Sequence, residues 1–489
     1  MRKVLAAILT VLLPVWMPAT VSASDLFSAG PLATAVQIRG HHANSGTAGY
    51  RIVYETATDG KKTAPSEILL AADYIEIKNK GRHAIVDFKL RRLIQLYETE
   101  RSFANLSLYG DVAFRMAEAI NRQYLRQVLQ GMDFKATSNA VDAFDPFWAG
   151  AELGLADPAE PHPEIDRRTD ADGTIRFSYK GKEVAVATPS DRRVPAALQK
   201  RSLQALRSIA SLHPDILDAI ATDGRLPQNI SYIRRPPNGE EQQVTLTLSS
   251  EAVATASYPL PAGYTSDLMR DFVGGPDNEA LGTLMPVMLQ AIAGTYGSGP
   301  RTTASYKAAI GQAMDSGRSF HALVLALELS LQRGEFLQSC GPADASCYTF
   351  PNIVTAARSD SRGSALLRSL ELDQTDPAAA TREREGIDRR DVPSGYLIGA
   401  FLGNGLVTQN TRRPEARQLL HEAMRGNPYV ASFYKDLGDY HSRAFEYPTA
   451  WLLYDLGRLV PERSRAESDP LNGVDGMERH LVANFGQFF

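Results

Sequence analysis

The sequence predicts an α+β protein, in which a curved antiparallel β-sheet with packed helices is followed by an all-α domain of helical hairpins. In residues 32–264, short runs rich in β-branched and aromatic residues alternate with turn residues. In residues 265–489, Ala- and Leu-rich blocks that end in glycine replace these runs. Because 489 residues are too many for one hydrophobic core, two or three domains are expected.

The start of the sequence has the order of an export signal, assigned to residues 1–23. An apolar stretch that ends at Trp16 follows Arg2 and Lys3, and small residues come next. This order predicts a secretory signal peptide cleaved after Ala23, and therefore a periplasmic or secreted protein. An N-terminal membrane anchor is the alternative, although the apolar stretch is short and contains Pro14. After cleavage, no transmembrane segment is predicted.

The net charge and the two cysteines give two further expectations, one about partners and one about a disulfide. A formal net charge of −4 gives no reason to expect a nucleic acid partner. Cys340 and Cys347 enclose a short loop that contains Gly341 and Pro342. In an oxidising compartment this spacing predicts a local disulfide, because a metal site would need more ligands than the loop supplies.

Alternation of apolar and polar residues predicts the strands of the β-sheet. In residues 85–97, "IVDFKLRRLIQLY", Val86 and Phe88 point one way, and Ile94 and Leu96 follow on the return strand. The charged pairs between these runs predict the turns. Successive strands with short turns indicate an antiparallel meander that has one apolar and one solvated face.

Two helices are predicted beside these strands. Asp111 is a favourable N-cap for the first helix, and the apolar stripe that follows includes Ile120 and Tyr124. Residues 194–212 predict a second amphipathic helix. We expect the first helix to lie across the apolar face of the sheet.

A long insertion separates these helices. Residues 133–172 are rich in proline and charge and predict an exposed loop. Phe144, Phe147 and Trp148 lie in this stretch. Their rings either fill the edge of the core or form a lid over an apolar cleft.

Some residues suggest a metal or a catalytic site, but their spacing does not match what such a site requires. His41 and His42 would point to opposite faces of a strand and are expected at the surface. Asp170 and Asp172 resemble a calcium loop, but its last position is Tyr179, so an Asp-Gly turn is expected instead. The sequence has no P-loop, no dinucleotide fingerprint and no G-x-S-x-G motif. We therefore predict no catalytic residue, no metal and no cofactor.

The helical half contains a 34-residue period. Ala416 and Ala450 are related by this spacing, and Gly438 precedes the second block. The pattern resembles the tetratricopeptide repeat, in which a small residue lets two helices pack closely. The resemblance covers residues 395–461, and it weakens where Asn404 replaces the glycine that the family prefers. Isolated helical hairpins would give a similar pattern.

Stacked helix pairs of this kind imply an extended surface that binds a protein partner. Tyr434, Tyr440 and Tyr454 are the candidates for contact with that partner. Tyr454 is also a candidate for burial where two helices cross.

The β region resembles the half-barrel of the periplasmic lipoprotein-carrier proteins. The resemblance rests on the strand rhythm of residues 73–79, 84–97 and 102–108 and on the closing "YPLPAGY". It implies a concave apolar face that holds an acyl chain or an apolar peptide. The alternative is that the two helices fill the sheet completely. The candidate ligand-binding residues are Val86, Phe88, Ile94, Leu96, Phe147 and Trp148.

The sequence thus favours an exported, non-catalytic binding or scaffold protein of the cell envelope, in which the β domain holds a lipid or another apolar ligand and the helical domain binds a protein. One alternative is a cell-envelope hydrolase with scattered catalytic residues, which a solvent-open cluster of titratable groups would favour. A purely structural envelope component is the other.

Overall fold

The chain divides into two compact units. The first, named the β unit, comprises Pro31–Arg270 and Leu481–Phe489, and the second, named the helical unit, contains Asp271–His480. The α+β class is confirmed. The division differs from the expected 265–489 domain, because the last nine residues of the sequence belong to the β unit. The computed structural model describes residues 30–42, 47–79, 81–131, 145–155, 163–221, 224–235, 240–268, 276–335, 337, 348–463 and 469–489.

The strands of the β unit form one open sheet of 13 strands. Its order is β13-β7-β6-β5-β4-β3-β1-β12-β11-β10-β9-β8, with β2 paired to β1. Every pairing is antiparallel except that of β13 with β7. The strands are β1 Thr47–Thr58, β2 Lys61–Lys62, β3 Ser66–Leu70, β4 Tyr74–Asn79, β5 Arg82–Asp87, β6 Arg92–Tyr97, β7 Ser102–Ser107, β8 Ile165–Thr169, β9 Ile175–Tyr179, β10 Lys182–Arg193, β11 Arg225–Arg234, β12 Gln242–Ala256 and β13 Thr265–Ser266.

The meander predicted from residues 85–97 is present as β5 and β6. Its turns form at the charged pairs, where Arg91 and Arg101 adopt left-handed backbone conformations with φ of 57° and 51°. The expectation of one solvated face is wrong here. Ile77 and Ile85 project from opposite faces of adjacent strands, and both are fully buried. Segments far away in the sequence cover the second face, including the one that carries Tyr258.

Five helices accompany the sheet in the described part of the β unit. The first predicted helix begins at Leu108, and only its first turns are buried, at Val112 and Ala113. Its second half does not cover the apolar face of the sheet, because Ile120 and Tyr124 remain 52% and 64% exposed. Its charged side packs instead, and Arg122 Nη1 donates to Glu152 Oε2 at 2.7 Å. The helices are α1 Ala35–Gly40, α2 Leu108–Gly131, α3 Pro146–Leu153, α4 Gln199–Ile209 and α5 Pro214–Ile220.

The predicted loop of residues 133–172 contains regular structure. Asp145 caps α3 by accepting a hydrogen bond from the backbone N–H of Phe147 at 3.0 Å, and Pro146 occupies the first helical turn. Strand β8 lies in the same stretch. The local Asp-Pro signal therefore outweighs the loop-like composition around it. Phe144 lies outside the described residues.

The helical unit is built from successive helices, several of them joined by connections of three or four residues. A close contact at glycine governs the packing of the hairpin of residues 431–459, where a Cβ on Gly438 would collide with the ring of Tyr454. None of the helices in the described part of the chain combines the length and apolar composition needed to cross a bilayer. Cys340 and Cys347 lie outside the described residues, so their disulfide stays a prediction. The helices are α6 Pro276–Ile292, α7 Thr303–Asp315, α8 Ser319–Arg333, α9 Phe350–Ala357, α10 Ser361–Leu372, α11 Pro377–Glu385, α12 Tyr396–Thr408, α13 Arg413–Gly426, α14 Ala431–Ser442, α15 Tyr447–Leu459 and α16 Asn472–Asn484, the last of which continues into the β unit.

Candidate functional site

A cavity of about 200 Å³ lies within the β unit. One wall is the face of the sheet that carries Ile75, Val86 and Leu93, and helices and the last residues of the sequence form the others. The sheet contributes mainly apolar side chains, and the charged groups lie on the helices and at Arg82, the first residue of β5. The lining includes Ile75, Arg82, Val86, Phe88, Leu93, Asp111, Arg115, Glu152, Arg207 and Phe488.

The register of the strands decides which predicted cleft residues share this wall. Val86 pairs with Leu93, so their side chains lie on the same face. Ile94 pairs with Ile85 on the opposite face, and Leu96 follows Ile94 at the two-residue period. Val86 and Phe88 therefore line the cavity, whereas Ile94 and Leu96 do not. The expectation that all four form one cleft is wrong, because the turn of residues 88–91 between the paired Asp87 and Arg92 has an even length, so even-numbered residues of β5 face the same side as odd-numbered residues of β6.

The two aromatic residues of the insertion lie elsewhere in the β unit. The ring of Phe147 is buried and stacks on Tyr179 and His213, with centroids 4.5 Å and 5.4 Å away. Trp148 is half-buried, and the guanidinium of Arg235 lies 4.4 Å from its ring centroid. Neither residue lines the cavity. Phe147 is part of a packed aromatic cluster.

The carboxylates of the cavity wall already have cationic partners. Asp111 Oδ2 accepts a hydrogen bond from Arg115 Nε at 2.8 Å. Glu152 Oε2 accepts from Arg122 Nη1, as described above. Arg207 also lines the cavity, and its Nη2 donates to Asp218 Oδ1 at 2.7 Å.

Residues 481–489 complete the cavity from the far end of the sequence. Gln204 Nε2 donates to the backbone oxygen of Gln487 at 3.1 Å, and Lys200 Nζ donates to that of Phe489 at 2.8 Å. The ring of Phe489 is buried, with the ring of Tyr109 5.3 Å away. Two side chains of α4 thus fix the backbone of this segment against the β unit.

The opposite face of the sheet carries a buried polar cluster. Asp87 Oδ2 accepts a hydrogen bond from the hydroxyl of Tyr258 at 2.6 Å and lies 2.8 Å from His42 Nε2. Burial, and then the charge of Asp87, raise the pKa of Tyr258 well above its usual value. His42 follows a helix and is buried, so the expected surface position is wrong for this residue. Because the side chains of His42 and Asp87 are 0% exposed, this pair is inaccessible to a substrate.

The three tyrosines expected to contact a partner are buried in the helical unit. Tyr434, Tyr440 and Tyr454 are 0%, 2% and 1% exposed. Helix crossing at glycine explains this for two of them: a Cβ on Gly457 would lie 2.9 Å from Tyr434 Cβ, and Gly438 faces the ring of Tyr454. The alternative of a buried Tyr454 is correct, and these tyrosines form no surface for a partner.

The core of the helical unit also contains a polar network around Glu328, which is fully buried. Its carboxylate accepts hydrogen bonds from Asn427 Nδ2 at 2.6 Å and from the hydroxyls of Ser394 and Tyr396. Burial and the adjacent carboxylate raise the pKa of Tyr396. This network joins residues more than 60 positions apart in the sequence and satisfies the buried charge.

The region that resembles a calcium loop forms the expected Asp-Gly turn. Asp172 Oδ1 accepts from the backbone N–H of Thr174 at 2.9 Å, and Asp170 Oδ2 accepts from Arg176 Nε at 2.8 Å. Gly173 has the positive φ of 83° that the turn requires. Among the residues that the structure describes, no group of three or more His, Cys, Asp or Glu side chains is placed to hold a metal ion.

The sequence analysis missed the charged residues of the cavity and its closing segment. Arg82 begins a strand and Arg207 lies on an amphipathic helix, and both positions are usual for solvated arginines. The adjacent Phe488 and Phe489 were the available signal for the closing segment, because burial of large aromatic side chains is strongly favourable. Comparison with known proteins finds no family model and no curated protein that matches this sequence.

Proposed function

We propose that the protein is an exported, non-catalytic binding protein of the cell envelope, whose β unit holds a small ligand in the cavity beside Val86 and Phe88. One observation carries the proposal: the cavity joins apolar side chains of the sheet to charged groups on the helices and at the start of β5. Ligand sites in proteins combine apolar surface with polar groups that fix the orientation of the ligand. The export signal predicted from residues 1–23 supports the location.

The chemistry of the cavity favours binding over catalysis. The described residues that line it include neither His nor Cys, and its two carboxylates are occupied by arginines. A general base must be free to accept a proton near the operating pH. Both carboxylates instead accept hydrogen bonds from guanidinium groups.

Native mass spectrometry of protein purified from its host tests the proposed ligand. We expect an adduct that is lost after Val86→Trp, because a large side chain at this wall fills the space. Val253→Trp is the matched control, since Val253 is 75% exposed on the same sheet. A clean apo mass for the wild-type protein would contradict the ligand part of the proposal. Sequencing of the mature N-terminus tests export, and a protein that retains Met1 would contradict it.

The helical unit is proposed to bind a protein partner through its stacked hairpins, and its resemblance to the tetratricopeptide repeat supports this role. Since the three tyrosines are buried, the contact residues must lie among exposed side chains. Phe445 is the natural first choice, because it is 47% exposed at the turn between α14 and α15. Crosslinking in envelope extract should give a discrete product that Phe445→Ser removes. A product that is unchanged by this substitution would exclude the turn as the contact.

A further inference from the structure

One face of α2 leaves large apolar side chains exposed to solvent. The apolar residues of this helix recur at intervals of three and four, so they share one face. Four large ones are 40%, 52%, 64% and 37% exposed, namely Phe114, Ile120, Tyr124 and Leu125. At about 200 Å² for a large side chain, these fractions leave on the order of 400 Å² uncovered. Apolar patches of this size on a protein surface are often functional.

Contacts on the other side of α2 explain why this face points outward. Arg115 Nη1 donates to the backbone oxygen of Leu153 at 2.6 Å, and Arg122 Nη1 donates to Glu152 Oε2 at 2.7 Å. Both acceptors belong to α3. Two arginines that are two helical turns apart therefore hold the charged side of α2 against the β unit. The exposure of the apolar face follows from these contacts.

The spacing of the exposed face is that of a helix that packs on another helix. Intervals of three and four residues alternate along its centre, which consists of Phe114, Ala117, Asn121, Tyr124 and Val128. This is the heptad spacing with which two helices interdigitate. In an antiparallel pair centred between residues 122 and 123, residues whose numbers add up to 245 lie opposite each other. The facing pairs are then Ile120 with Leu125, Asn121 with Tyr124, and Ala117 with Val128, each formed twice.

The charges on one flank of α2 agree with the same antiparallel arrangement. Glu118 and Arg126 lie on this flank, one on each side of the centre. Antiparallel pairing brings Glu118 within one residue of the position opposite Arg126 of a second copy, and the reverse contact forms by symmetry. A parallel pair in register places Glu118 beside Glu118 and Arg126 beside Arg126 instead. The face is therefore complementary in charge to an antiparallel copy of itself.

We propose that the protein forms a two-fold symmetric dimer in which α2 packs antiparallel on α2 of a second copy. The exposed side chains of both copies, with their half-buried neighbours, bury about 1,000 Å² in total, which is the lower end of the range for a specific interface. Asn121 fixes the register, as a single polar residue does at the centre of a coiled coil. None of the residues in this contact lines the cavity, so the dimer is independent of the proposed ligand.

Sedimentation equilibrium of the full mature chain between about 1 and about 200 µM tests the dimer. We expect the average mass to rise from one copy toward two, because interfaces at the lower end of the size range associate weakly. Tyr124→Glu should weaken the dimer at least about tenfold, since it removes an aromatic anchor and places a charge at the centre of the contact. Val253→Glu is the matched control, because it introduces the same charge at an apolar residue of the β unit that is 75% exposed, and it should have no effect.

Charge reversal tests the orientation of the two helices. Glu118→Arg and Arg126→Glu should each weaken the dimer about three- to tenfold, because each places like charges opposite each other twice. The double variant restores opposite charges and should regain most of the lost affinity. An apolar contact without a defined orientation does not give this recovery. A double variant that is no tighter than the single variants would show that the antiparallel arrangement is wrong.

A mass of one copy throughout the concentration range overturns the inference, and so does a dimer that Tyr124→Glu leaves intact. Protein that stays monomeric but co-sediments with phosphatidylglycerol vesicles also overturns it, because the apolar face then contacts a lipid surface. If circular dichroism shows that Tyr124→Glu does not fold, Ile120→Lys provides the same test at a residue that is 52% exposed. The proposed function of the cavity stands in each of these cases.

Discussion

Substitution of Phe489 by alanine should destabilise the β unit although the residue lies 289 positions from Lys200, its partner in the fold. The ring is 4% exposed, and the guanidinium of Arg91 lies 5.3 Å from its centroid. Truncation of a buried phenylalanine costs about 3–5 kcal/mol, of which the cation–π contact supplies about 0.5–1 kcal/mol. We expect a loss of about 3 kcal/mol for Phe489→Ala.

Phe488→Ala is the matched control, because the two residues are adjacent and each has an arginine over its ring. Phe488 is only half-buried, so its truncation should cost about 1 kcal/mol. In the chain without residues 1–23, which carry Trp16, urea unfolding followed by the fluorescence of Trp148 isolates the β unit when Trp451 of the helical unit is replaced by phenylalanine. A single reporter is needed because a chain with two units does not unfold in one step.

The relative losses of unfolding free energy in Phe489→Ala and Phe488→Ala test whether burial is the cause. If Phe488→Ala destabilises the β unit as much as Phe489→Ala does, burial is not the cause. If Phe489→Ala changes the free energy of unfolding by less than about 0.5 kcal/mol, the segment 481–489 does not contribute to the unit, since that is the range of an ordinary surface substitution.

Three further predictions concern the buried contacts. Gly438→Ala should lower the thermal stability of the helical unit by about 1–3 kcal/mol, because the added methyl group meets the ring of Tyr454; unchanged calorimetric stability would contradict the packing. Tyr258→Phe removes a hydrogen bond to the buried Asp87 and should cost the β unit about 1.5–3 kcal/mol in urea unfolding, and a neutral substitution would show that the bond is not needed. Burial raises the pKa of Glu478 from 4.5 to about 7, so the folded state binds more protons than the unfolded state between these values and stability falls as the pH rises through this window. The pH dependence of urea unfolding should therefore flatten in Glu478→Gln, and parallel curves would refute the shift.

The strands and hairpins were predictable because their signals are local. The period of two residues around Val86 and the charged turn at Arg91 give the meander, and the 34-residue period gives the paired helices. Asp145 and Pro146 carried an equally local helix signal, but the composition of the surrounding stretch obscured it. Short-range alternation and a regular repeat were therefore sufficient to predict elements, except where composition obscured a local cap.

The candidate site was not predictable in the same way, because its parts are distant in the sequence. Alternation identifies two faces of a strand, but it does not say which face is covered, and His42 and Tyr258 reach Asp87 from 45 and 171 positions away. The sequence predicts a solvated Arg207, whereas its side chain is only 7% exposed in the structure. Val86 lies at the cavity, whereas Ile94 lies on the opposite face, because the even length of the turn between β5 and β6 pairs Val86 with Leu93.

The division of the sequence determines how the proposed ligand site can be isolated. The helical unit, Asp271–His480, is inserted within the sequence of the β unit, whose last part returns as Leu481–Phe489. A cut near Tyr264 therefore does not release an intact β unit, because it removes Gln487 and Phe488 from the wall of the cavity. Loss of ligand binding in such a fragment would not locate the site in the helical unit. A fragment that joins Arg270 to Leu481 through a flexible linker keeps every described residue of the cavity, and is the one whose binding can be compared with that of the full chain.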